Sequence, residues 1–154
     1  TTFSMVKDKV ANADFEVFAD FIRLADVHGF KVVMGNARGA DGYCSHEEKE
    51  IVIDENADFG YKVKTLIHEV AHMIMHADIK DYRQNRGRYE TEAEGVAFIV
   101  AEALGIHSDE DAYSFGYIAS WGKEDTKKLV KESLSRIQKT ANRILDDIET
   151  GFEI

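Results

Sequence analysis

Proline is absent from this chain, and cysteine occurs once in its 154 residues. Without proline no element boundary is marked by a ring that breaks backbone hydrogen bonding, so boundaries must be read from glycine and from periodicity. The lone Cys44 excludes an intrachain disulfide, and a reducing compartment, the cytoplasm, is the expected setting. Long apolar runs are also missing. The longest, Val96 to Ala101, is far short of the roughly 20 residues a membrane-spanning helix needs, so no membrane partner is expected. The N-terminus begins with Thr and lacks the charged, apolar and small-residue order of a secretory signal. Residues 1–154 are therefore expected to be a single domain excised from a longer protein. No internal repeat or low-complexity tract interrupts it.

Positive charge is scarce: 19 Lys and Arg face 29 Asp and Glu, a net charge of -10. That balance repels polyanions, and nucleic acid is not an expected partner of this domain alone. Two basic clusters, Arg83, Arg86 and Arg88, then Lys123, Lys127 and Lys128, read as solvated loop and helix ends.

What is present suits a soluble globular fold, with 44% hydrophobic and 31% charged residues. Phe15, Phe18, Ala19, Ile22 and Ala25 give helical spacing from Asn12 to His28, with Phe21 less regular and Gly29 closing the helix. Phe30–Met34, Tyr43–Ser45 and Glu50–Asp54 read as short strands around a glycine-rich loop. Tyr61–Ala77 and Glu90–Leu104 are helical, the second with Gly105 as its C-terminal stop. The polar stretch between them reads as a loop. Further helices are expected over Ser108–Trp121 and Lys123–Thr150, the last with Ile137, Ala141, Ile144, Leu145 and Ile148 inward. The fold class is α+β, a small early sheet followed by helices.

The chemistry concentrates in His68-Glu69-Val70-Ala71-His72, an H-E-x-x-H pattern on a helix. Residues four apart lie on one face, about 6 Å apart along the axis, so both imidazoles can reach one zinc ion at roughly 2.0–2.1 Å. Glu69 sits about 100° round from His68, beside the ion, where its carboxylate can act as general base toward a water. A chance pattern on an ordinary helix is the alternative, which Leu66-Ile67 and Met73-Ile74 weaken by flanking the motif with apolar pairs.

His76 extends the histidine series, but on a continuing helix it lies about 12 Å along the axis from His68 and reads as a packed or hydrogen-bonding histidine. The third ligand is then a carboxylate from the Glu90 helix, where Glu90, Glu92 and Glu94 compete. Periodicity does not choose between Glu90 and Glu92. The gluzincin spacing Glu-x-x-x-Asp/Glu favours Glu90 as ligand, with Glu94 one turn on orienting a ligand histidine; Glu92 is the main rival. Acidic residues at a helix start also complement its dipole.

HEVAHMIMH from His68 to His76, followed by ETEAEGVAFIVAEALGI from Glu90 to Ile106, resembles the ImmA/IrrE-type metallopeptidases. GADGYCSHEEKEIVID and SFGYIASW narrow the resemblance to the zincin domain of ArdC-like proteins carried by mobile elements. It implies a minimal zincin-like fold, zinc as cofactor, the helix-borne Glu90 completing the site, and His76 as a shared histidine that does not ligate. It also implies regulatory proteolysis of a protein or peptide substrate. Tyr43, Tyr61, Tyr82, Tyr89 and Tyr117 are candidates for stabilising an oxyanion; none is marked out by position, and packing is the default reading of each. The strand Ile51–Asp54 is a candidate sheet edge for an extended peptide. The competing reading is a non-catalytic, metal-stabilised acidic interaction or anti-restriction domain, suggested by the net charge.

Overall fold

The computed structural model describes residues 2–78, 84–106 and 124–151, with side chains described from residue 14 and, in the last segment, from residue 131. Seven elements follow in order: α1 (Thr2–Val27), β1 (Lys31–Gly35), β2 (Gly42–Ser45), β3 (Glu50–Asp54), α2 (Phe59–Met75), α3 (Arg86–Ala103) and α4 (Glu124–Glu149). The fold is α+β, as expected. The helix expected over 108–121 lies outside the described residues.

The three strands form one sheet in the order β1-β3-β2. β1 runs parallel to β3 with Val33 opposite Val52, and β2 runs antiparallel to it with Cys44 opposite Ile51. This corrects the expected edge at Ile51–Asp54. β3 is the central strand, and its consecutive Ile51, Val52 and Ile53 are all buried, the mark of a strand covered on both faces. The side strand next to the helix-borne motif is β2.

α1 buries a face turned from the expected one. Phe18, Phe21, Leu24 and Ala25 enter the core, whereas Phe15 is 57% and Ile22 38% exposed. Phe15 stacks on Phe59 at the start of α2 instead, with ring centroids 4.3 Å apart. Both stripes have helical spacing, and packing against β1 and α2 selects between them. The stop signals behave as read: Gly29 (φ 81°) and Gly105 (φ 73°) take the left-handed conformation. The next amides, Phe30 and Ile106, donate back to Ala25 and Ala101 at 2.8 and 2.9 Å, closing each helix with a Schellman turn.

α2 is the hub of the core. Val63, Leu66, Ile67, Val70 and Ala71 are fully buried against α1, the sheet and α3. Each large aliphatic there contributes on the order of 1.5–3 kcal/mol of transfer free energy. α3 starts at Arg86, a turn earlier than its apolar pattern, because in that turn only Tyr89 enters the core. α4 lays Ile137, Ala141 and Ile144 on α3. The approach is close: a Cβ on Gly95 would sit 2.9 Å from Cδ1 of Ile137. No helix among the described residues is long and apolar enough to cross a membrane.

Candidate metal centre

α2 brings His68 and His72 onto one face at i and i+4, their Nε2 atoms 3.1 Å apart. α3 crosses beside them and supplies Glu90, whose Oε2 lies 3.2 Å from Nε2 of His68 and whose Oε1 lies 3.2 Å from Nε2 of His72. Donors about 2.05 Å from a tetrahedral ion stand roughly 3.3 Å from one another. The triangle of two imidazole nitrogens and a carboxylate matches that spacing, and its donor set suits a zinc-type cation. Side-chain atoms of His68, Glu69 and His72 all fall within 4.8 Å of each other, which puts Glu69 at the rim of the triangle.

Glu94, one turn beyond Glu90, lies 2.6 Å from Nδ1 of His68, an ion-pair contact whose angle falls short of an in-line hydrogen bond. Glu92 projects about 200° round α3 from Glu90 and away from the triangle. It is fully buried, 3.3 Å from Nε2 of His76 and 3.2 Å from Nε of Arg136. His76 is reached because α2 stops at Met75. His76 then leaves the helical path (φ -123°, ψ 55°), and its ring turns back so that its Nδ1 lies 2.8 Å from Nδ1 of His72. The expectation of a helix continuing past this histidine is corrected, and its expected hydrogen-bonding character is what the geometry shows.

The electrostatics are those of a site shaped for positive charge. Burial alone would lower the pKa of His68, but contacts with Glu90 and Glu94 and the nearby charge of Glu69 outweigh it and push it up to about 10. Glu69 is raised to about 7, first by burial and then by the neighbouring charges of Glu90, Glu94 and Asp41, partly offset by His68. His72 and His76 are both lowered, chiefly by burial.

The triangle opens onto a cleft of about 880 Å³ whose walls come from the β2 segment, α2 and α3. Tyr43 and Tyr61 line it, and Tyr61 donates to Oδ2 of Asp41 at 2.7 Å. Tyr89 lies behind the site, stacked on His76 with centroids 4.2 Å apart, while Tyr82 and Tyr117 lie outside the described residues. Asp41, Arg88 and Arg136 were not singled out from the sequence for this site. Asp41 stood in a glycine-rich loop, and Arg136 carries no local signal on an amphipathic helix.

Residues 25–109, more than half of the chain, match the model of peptidase family M78, described as the IrrE N-terminal-like domain. No curated protein and no solved structure matches the chain.

Proposed function

The chain belongs to the M78 peptidase family of IrrE N-terminal-like domains, and on that premise we propose that it is a zinc-dependent endopeptidase acting on a protein substrate. The observation that carries this reading is the triangle of His68, His72 and Glu90, with edges of 3.1 and 3.2 Å and Glu69 at its rim. In this reading those three residues hold zinc and Glu94 steadies His68. When bound, zinc supplies a Lewis acid that lowers the pKa of a water and polarises a carbonyl.

The chain's own residues supply the rest. Glu69 is placed to take a proton on its carboxylate and return it to the departing amine. β2 pairs with β3 along one side, and among the described residues no strand pairs with its other side. That free edge, bordering the cleft, would take an extended peptide by main-chain hydrogen bonds. Tyr43 and Tyr61 line the cleft, and Tyr61 could meet a developing oxyanion only by turning its one hydroxyl hydrogen away from Asp41. A zincin-like domain spanning 1–154, closeness to ArdC-like mobile-element proteins, and regulatory proteolysis in the cytoplasm belong to the same proposal, supported by the sequence motifs.

The charge of -10 favours a second reading, an acidic interaction or anti-restriction domain that uses the metal only for stability. Glu69→Gln separates the two. The peptidase reading expects peptide hydrolysis to fall by roughly 10²–10⁴-fold with zinc content unchanged. Undiminished function in that variant would sink the catalytic role.

A further inference from the structure

Behind the triangle lies a polar chain that peptide hydrolysis does not itself require: the buried His72, His76 and Glu92, and the half-exposed Arg136. Nδ1 of His72 meets Nδ1 of His76 at 2.8 Å, and Nε2 of His76 meets Oε1 of Glu92 at 3.3 Å. Nε of Arg136 lies 3.2 Å from Oε2 of Glu92, and Nε of Arg88 lies 3.8 Å from Oε1. His76 is 3% and Glu92 0% exposed. We infer that His76, Glu92 and Arg136 form a positioning relay that fixes which ring nitrogen of His72 carries the proton, and so which one is presented to the metal. This rests on the reading of His72 as a metal ligand.

The proton placement follows link by link. The Glu92 carboxylate, flanked by two guanidinium groups, offers His76 only acceptors, so Nε2 of His76 bears the hydrogen and donates it. The Nδ1 of a neutral His76 is then a bare lone pair, and at 2.8 Å it can only accept. The hydrogen in that contact therefore belongs to Nδ1 of His72. The Nε2 of His72 is left unprotonated, facing Glu90 and His68, as a ligand nitrogen must be.

The opposite arrangement satisfies the contact between the two Nδ1 atoms, but it sets the Nε2 lone pair of His76 against a carboxylate oxygen in a fully buried pocket, and it puts the hydrogen of His72 on Nε2, the nitrogen that faces Glu90 and His68. Three features hold the His76 ring in place. Its backbone N–H donates to the carbonyl of His72 at 2.9 Å, Tyr89 stacks on it with planes 20° apart, and Glu92 anchors its far nitrogen. The two candidate ligands are thus supported differently. His68 has a carboxylate directly against it, whereas His72 has a neutral imidazole between it and the buried carboxylate. The relay also recruits α4, which lies outside residues 25–109.

Removing such a partner costs roughly 10–100-fold in metal affinity. The test is chelator competition for zinc on the whole chain, combined with long-range ¹H–¹⁵N spectra of histidine-labelled, zinc-loaded protein. The spectra should place hydrogen on Nδ1 of His72 and on Nε2 of His76. His76→Leu should bind zinc roughly 10–100-fold more weakly, and His76→Asn, whose amide oxygen can stand in for the accepting nitrogen, should recover much of the loss. Arg136→Gln, at a half-exposed position, should weaken zinc several-fold and serves if His76→Leu does not fold. A His76 hydrogen on Nδ1, or folded His76→Leu and Arg136→Gln proteins that keep wild-type affinity, would overturn the relay alone. A wild-type chain that takes up no zinc would overturn the metal reading and the relay with it.

Discussion

Exchanging Glu90 for Gln keeps the shape of the side chain and removes its charge. Each carboxylate oxygen stands 3.2 Å from one of the two histidine nitrogens, so the residue closes the triangle from both sides. Its side chain is 31% exposed, so the change opens no cavity, and the zinc-free fold should melt within a few degrees of wild type. The effect falls on the metal. Four-ligand zinc sites bind with about 10–16 kcal/mol, or about 3 kcal/mol per ligand, which is roughly two orders of magnitude in affinity. Chelator competition at fixed pH measures it, with Glu92→Gln as the comparison two residues away. The expected order is a loss of roughly 100-fold for Glu90→Gln and a smaller loss for Glu92→Gln, which acts only through His76. Affinity within about threefold of wild type for Glu90→Gln, or a larger loss for Glu92→Gln, would refute the assignment of the third ligand.

Two further outcomes concern the wall of the cleft. Burial pushes the Cys44 thiol up to about 12, with the charge of Glu69 adding to it. At pH 8 its thiolate fraction is then about 10⁻⁴, against roughly a quarter for an ordinary thiol of pKa about 8.5, and iodoacetamide should react roughly 2,500-fold more slowly with the native than with the denatured chain. Below pH 12 the native rate should climb about tenfold per pH unit, and native and denatured rates that agree at pH 8 would contradict the burial argument. Gly42→Ala should destabilise the fold by about 1–3 kcal/mol. Its Cβ would lie 2.8 Å from the Val52 carbonyl oxygen, a backbone atom of the central strand, and 2.8 Å from Cγ2 of Thr65. An unchanged denaturation midpoint would show that β2 shifts freely.

Local features of this chain were legible because they repeat at short range. β3 was read at its observed bounds, α2 and α4 fell within a few residues of theirs, and Gly29 and Gly105 stopped their helices through a conformation that glycine adopts without strain. The i, i+4 histidines and the Glu90–Glu94 spacing were readable for the same reason, and the structure places all four beside one another. Long-range choices left no such trace. Nothing in Glu50–Asp54 says that β1 pairs with it in parallel while β2 takes the outer side. The stripe of α1 through Phe15 and Ile22 was as regular as the one that packs. Arg136 stands 44 positions after Glu92 in the chain, and only the docking of α4 makes them neighbours.

That docking is close where one methyl group is missing. Gly95 lets Ile137 settle almost onto the backbone of α3, one residue along from Arg136. The last helix is therefore more than a cover for the core: it is the element that carries a guanidinium to Glu92, behind the histidine pair. If the proposed relay holds, a bulkier side chain at position 95 would weaken zinc binding from a distance, through Arg136 and Glu92, without touching His68, His72 or Glu90.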